Sequence, residues 1–170
     1  AEFGAVNGEL RAKAKLGNRG WRYSLRFDKT FTDVQARFTA KVNQCGDTDE
    51  YGFAFRGNEA PKDQFNMYVF KLNCTGSARV EMLQGTQSTK SKTLIDWKAN
   101  VAILKGKDAQ NSVIIWMNKD QFHFFVNDRY IFSLQDATYP EGYFGFYLND
   151  RTTGSAAITF TDFVVKMIKP

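Results

Sequence analysis

Carboxylates are the first groups in this chain whose positions suggest chemistry. Asp47, Asp49 and Glu50 cluster just after Cys45-Gly46, and Glu81 stands alone inside an alternating run. The cluster offers oxygen ligands of the kind Ca²⁺ takes, but its spacing matches no dedicated calcium loop. These three are therefore weak metal candidates, and no other cofactor is implied. Two positions beyond Glu81 lies Leu83, so no second carboxylate shares its strand face for paired acid–base work. The single histidine, His123, alternates with Phe122 and Phe124 and has no serine or cysteine nucleophile spaced to serve it. It reads as a satisfied or exposed strand residue. Cys45 and Cys74 each lie beside a turn-forming glycine, Gly46 and Gly76, at the ends of strand-like runs. In an exported chain they form a disulfide, with a loop contribution of ~3 kcal/mol. In a cytosolic one they are two buried thiols.

The elements that must position these groups have a period of two. In Asp33–Val42, the residues Val34, Ala36, Phe38, Ala40 and Val42 share one face, and Gln35, Arg37, Thr39 and Lys41 the other. Similar runs cover Trp21–Phe27, Tyr51–Arg56, Met67–Leu72, Ala78–Leu83, Val113–Asn118, Phe122–Val126, Tyr130–Leu134, Tyr143–Leu148 and Ala156–Lys166. Reversal signals such as Asn7-Gly8, Asn118-Lys-Asp120, Asn127-Asp128 and Glu141-Gly142 separate them. Only Ala99–Lys105 offers a short helix any competition. Gly57–Phe65 and Gly85–Thr93 read as the long loops. The pattern predicts an all-β sandwich or barrel of antiparallel strands.

The length of 170 residues predicts one domain, 1–170, with a core over about 8–168. Sixteen phenylalanines, seven tyrosines and three tryptophans supply an aromatic interior. No apolar run is long enough for a membrane span, so no membrane insertion is expected. A net charge of +5 makes nucleic acid a partner to test. The basic runs Arg11-Ala-Lys13-Ala-Lys15 and Lys90-Ser-Lys92 are short and isolated, and phosphate binding needs a contiguous footprint. Nucleic acid is not expected. The first residue is not Met and no leader pattern follows, which reads as a mature or trimmed chain.

An ordered series of local signatures runs through the chain: Tyr51-Gly-Phe-Ala-Phe-Arg56, Met67-Tyr-Val-Phe-Lys-Leu72, Trp97, Asn111-Ser-Val-Ile, Phe125-Val-Asn-Asp128, Gly142-Tyr-Phe-Gly145 and Phe160-Thr-Asp-Phe163. That order resembles the concanavalin A-like lectin/glucanase superfamily, in particular its compact bacterial extracellular domains. The resemblance implies a two-sheet antiparallel jelly-roll sandwich with one concave and one convex sheet. It also implies that an early strand, Asp33–Val42, pairs with the last, Ala156–Lys166. Hydrolases of the superfamily carry acidic residues at alternate strand positions, which is the arrangement a retaining mechanism needs. This chain departs from them at that motif, so catalysis is not carried over.

With Phe53, Phe55, Tyr68, Phe70, Val80 and Met82 turned inward, Ala54, Arg56, Lys71, Arg79 and Glu81 are expected to share the outward face. Arg56 would donate to sugar hydroxyls, while Lys71 and Glu81 supply a donor and an acceptor. Trp116, Tyr147 and Asn149 are out of phase with their core neighbours, so the two rings become candidate stacking surfaces and Asn149 a polar contact. Trp97, in a loop-like stretch, reads as packing. The expected function is a non-catalytic binding module of an exported bacterial protein, extracellular, periplasmic or at the cell surface. It would recognise a carbohydrate or cell-surface polymer on the concave sheet through Arg56, Lys71, Glu81, Trp116, Tyr147 and Asn149. The alternatives are a glycoside hydrolase using Glu81 and one carboxylate from Asp47–Glu50, or a structural or protein-interaction domain without a small ligand.

Overall fold

Tight reversals set the strand pairing of this molecule. A computed structural model describes residues 2–14, 20–59, 65–85, 91–151 and 154–168. Asn7-Gly8 joins β1 (Glu2–Val6) to β2 (Glu9–Lys13), with both turn residues at positive φ, 50° and 79°. Asn127-Asp128, at 51° and 61°, does the same between β10 (Gln121–Val126) and β11 (Arg129–Gln135). Such two-residue turns match the right-handed twist of the strands they join. Lys119-Asp120 closes the hairpin between β9 (Gln110–Asn118) and β10.

The remaining strands are β3 (Gly20–Phe31), β4 (Val34–Gln44), β5 (Glu50–Glu59), β6 (Phe65–Asn73), β7 (Ser77–Leu83), β8 (Ser91–Ala99), β12 (Gly142–Asp150) and β13 (Ala157–Met167). They form two antiparallel sheets. One has seven strands in the order β1-β2-β13-β4-β9-β10-β11; the other has six, β3-β12-β5-β6-β7-β8. The expected pairing of an early strand with the last is present: β4 runs against β13, with Val34 opposite Met167 and Ala40 opposite Phe160. Among the described residues there is no helix, and Ala99–Lys105 is a strand end followed by turns. Ser91–Ala99, expected partly as loop, is instead the edge strand β8, so Trp97 lies in a sheet. Residues 60–64 and 86–90, within the two expected loops, lie outside the described residues.

Alternation produces the core directly. Val34, Ala36, Phe38, Ala40 and Val42 of β4 meet Phe53, Phe55, Tyr68, Phe70 and Val80 of the opposite sheet. Phe38 is central: its ring lies 5.2 Å from Phe53, 5.3 Å from Phe146 and 6.0 Å from Phe160. These offset and edge-on contacts suit the ring quadrupole and bury large apolar area.

Two covalent or polar ties hold one end. Cys45, just after β4, and Cys74, just after β6, form a disulfide across the two sheets, with Cα atoms 6.2 Å apart. Nearby, Asn111 Nδ2 donates to the Tyr51 hydroxyl at 3.0 Å and to the Leu104 carbonyl at 3.1 Å. Its Oδ1 accepts from the Leu104 amide and from Asn127 Nδ2, both at 2.9 Å. A fully buried amide is tolerable only because its polar atoms are used in this way.

Candidate functional site

Three of the buried charged side chains among the described residues, Glu50, Lys71 and Glu81, meet on the outer face of the six-stranded sheet. Lys71 on β6 stands between two carboxylates from the flanking strands. Its Nζ is 3.1 Å from Glu50 on β5 and 2.5 Å from Glu81 on β7. Arg79 reaches the other oxygen of Glu81 at 2.6 Å, and Arg151 Nε lies 3.3 Å from Glu50. Tyr147 and Asn149 on β12 each donate to Glu50 Oε2 at 3.1 Å. The sheet register explains the convergence. Gly52 lies opposite both Lys71 and Tyr147, and with no side chain there the ammonium approaches the Tyr147 ring, 4.8 Å from its centroid. A Cβ at Gly52 would collide with the Phe70 carbonyl, so only glycine fits.

Electrostatics follow from this packing. Burial pushes the Glu50 carboxyl upward, but Lys71, the Asn149 hydrogen bond and Arg151 outweigh it and hold the group below its ordinary 4.5. It stays ionised near neutrality. The Tyr147 hydroxyl is driven far upward by burial and by the adjacent Glu50 charge, so it remains a neutral donor.

Lys71, Glu81, Tyr147 and Asn149 are thus brought together, though all four are buried. The groups of this constellation with more open access are Arg151, whose side chain is 54% exposed, Arg79 at 20%, and the half-buried Trp97, over whose ring the Arg79 guanidinium sits at 5.8 Å. Glu50 and Arg151 were not anticipated as members. Glu50 directly precedes the inward Tyr51, so strict alternation already marks it as outward; Arg151 follows β12 with no such signal.

Arg56 does not join them. A bulge between Phe55 and Asn58, with Arg56 at φ 51°, turns its side chain inward, where it is 1% exposed. There it donates to the Tyr139 carbonyl at 3.2 Å and the Thr32 carbonyl at 3.1 Å, and stacks on Phe122 at 5.0 Å. Alternation from Phe53 and Phe55 puts residue 56 outside; the inserted residue reverses that. Trp116 is also separate, because β9 belongs to the seven-stranded sheet and its outward residues face away from Lys71. The proposed groove joining Arg56, Trp116 and Glu81 therefore does not form.

The acidic cluster also disperses. Asp49 accepts from the Gly46 and Arg151 amides, at 2.7 and 2.8 Å, Glu50 joins Lys71, and Asp47 is exposed. Among the described residues no three His, Cys, Asp or Glu side chains converge as a metal site. His123 Nδ1 lies 2.6 Å from the Ser133 hydroxyl on the neighbouring strand.

A carbohydrate-binding module, CBM66 from Bacillus subtilis, superimposes with a TM-score of 0.76 over 97% of this chain and 91% of that one, at 12% identity. The chain has the concanavalin A-like jelly-roll fold. A protein of unknown function with a galectin-like fold from Bacillus subtilis matches this jelly roll at TM-score 0.68 and 11% identity, covering 95% of this chain and 83% of that one. A Bacteroides ovatus GH16 enzyme of a mixed-linkage glucan locus, in complex with a G4G4G3G product, matches at 0.66 and 11%, covering 98% and 84%. No family model matches the jelly roll's sequence, and no curated protein does.

Proposed function

We propose that this jelly roll is a non-catalytic carbohydrate-binding module of an exported protein. The glycan or cell-surface polymer docks on the outer face of the six-stranded sheet. Arg151, Arg79 and Trp97 make the first contacts. Lys71, Glu81, Tyr147 and Asn149, with Glu50, form the rigid polar floor that fixes them. The carrying observation is the position of Lys71 between Glu50 and Glu81. A glycosidase needs one carboxyl protonated and one free to reach the sugar. Here both are committed to one ammonium, and Glu50 is held ionised. The Cys45–Cys74 disulfide supports export, because such bonds persist in oxidising compartments. CBM66, a carbohydrate-binding module by its name, shares nearly the whole fold.

A glycan array followed by calorimetry on the hits tests this reading. Binding without release of reducing sugar, weakened by R79A or R151A in variants that remain folded by circular dichroism, is the expected result. The match to the GH16 structure favours a second reading, a glycoside hydrolase. Sugar release abolished by E81Q in a folded variant would establish that reading in place of the first.

A further inference from the structure

The outer face of the other, seven-stranded sheet has a different chemistry. Cross-strand register lines up two neighbouring rows on it. One row runs Lys166, Gln35, Trp116, His123, Ser133, and the next Val164, Arg37, Ile114, Phe125, Tyr130. Trp116 is 45% exposed and Tyr130 57%, although large rings are ordinarily covered. The Tyr130 ring is held in place. Tyr130 packs edge-on against Phe125 at 5.8 Å, its hydroxyl meets Ser133 Oγ at 3.0 Å, and the same oxygen lies 2.6 Å from His123. From strand spacing and rise, Trp116 and Tyr130 stand about 12 Å apart at their Cα atoms, close to the length of a disaccharide.

Charge on the β4, β9, β10 and β11 part of this face has one sign. β13, which supplies Lys166, also carries the exposed Asp162 at its bulge, where it accepts from the Thr161 hydroxyl. Every residue of β4, β9, β10 and β11 is described, and none is aspartate or glutamate. Arg37, Lys41 and Lys166 are exposed and make no ion pair among the described residues. The carboxylates bordering β4, β9, β10 and β11 lie in turns at the strand ends: Asp33 accepts from the Lys119 amide, Asp120 from Gln135, and Asp128 is exposed.

We propose that this face is a second binding surface, whose ligand is an acidic polysaccharide, a chain of sugar rings bearing carboxylates. The apolar C–H faces of its rings stack on Trp116 and Tyr130, its carboxylates pair with Arg37 and Lys166, and its hydroxyls bond to Gln35, His123 and Ser133. The cations are few and spaced, which suits one carboxylate per sugar better than a dense phosphate backbone. Ile114, Phe125 and Tyr130 form one short apolar strip, bordered by Arg37 in its own row and by Gln35, His123 and Ser133 in the next, which is narrower than the apolar centre of a stable protein interface. This proposal does not depend on the reading of the six-stranded sheet.

Affinity electrophoresis and calorimetry on the whole chain with polygalacturonate test it, with a neutral glucan and oligothymidylate as comparison ligands. Polygalacturonate is expected to bind, more weakly as salt rises. W116A and Y130A should each lower affinity roughly tenfold or more. R37Q should lower it and flatten the salt dependence, while R79A and R151A leave it unchanged. Melting temperatures of all variants serve as the folding control, and W116F and Y130F, which keep a ring, should bind better than the alanine variants. The proposal is overturned if polygalacturonate does not bind, or if binding survives W116A and Y130A. It is equally overturned if oligothymidylate binds as tightly, or if Trp116 instead mediates self-association. Loss of binding on R79A but not W116A would place the ligand on the six-stranded sheet and sink this second surface alone.

Discussion

Lys71 is the residue on which the buried charge of the six-stranded sheet depends. An ammonium shared by Glu50 and Glu81 offsets the desolvation of both, and neither carboxylate has water enough to stand alone. K71M should therefore cost about 3–5 kcal/mol, read from the urea midpoint, because it leaves two like charges buried together. Adding E81Q to K71M should recover part of that loss by removing one of them. The same cluster sets a pH limit. Glu50 and Asp136 both have carboxyls held below their ordinary values, Asp136 by the Tyr68 and Thr138 hydrogen bonds that outweigh its burial. The unfolded chain thus binds protons more readily than the folded one. Stability is present above about pH 4.5 and is lost as pH falls through the folded values. At the alkaline end the sign reverses. Burial lifts Tyr51 to about 12, and Tyr147 well above its ordinary 10.0, so folding is favoured below pH 10 and loses that support as pH climbs beyond it. Thermal melts across the pH range should show both shoulders, and tyrosinate absorbance should lag in the folded state.

At the scale of elements, the bulge in β5 decides what the sheet can present. It turns Arg56 into the sandwich, where the guanidinium ties the turn before β4 to the segment leading into β12. R56M keeps the stem but leaves the Thr32 and Tyr139 carbonyls without these donors. A loss of roughly 3 kcal/mol is expected from a chemical melt. Hydrogen exchange should accelerate around Tyr139 and Thr32 while β9 and β10 stay protected. Uniform acceleration would mean that Arg56 supports the whole core rather than these two segments. Alternation carried most of the strands correctly because one face of each is buried and the other is not. It failed at residue 56 because one inserted residue exchanges the faces. It also passed over β8, an edge strand whose burial pattern is mostly intermediate and exposed, so no clear apolar period marks it.

For the whole molecule, the disulfide is the tie whose removal reports on both layers at once. Cys45 and Cys74 close a loop with a sequence separation of 29, and in the chain-entropy account this is worth about 3–4 kcal/mol. The C45A/C74A pair should lower the melting temperature, and reductant should have the same effect on the native chain and none on the variant. Because Phe38, Phe53, Phe146 and Phe160 pack across both sheets, the variant should still melt in a single transition. Two separated transitions would mean that the sheets unfold independently.

The order of apolar and polar residues by itself determined that this chain would be all strands, where most of them would run, and which rings would fill the interior. Those properties are local: side chains alternate every second residue, and burying one face is the dominant gain. The same logic marked Lys71, Glu81, Tyr147 and Asn149 as one outward group, since all lie in regular stretches. Only the tertiary structure decided which sheet each strand joined. Trp116 and Lys71 have the same local signature, yet β9 pairs with β4 and β6 pairs with β5, so their outward faces look in opposite directions. Strand partnership rests on hydrogen bonds between segments far apart in the chain, and period-two patterning carries no information about it.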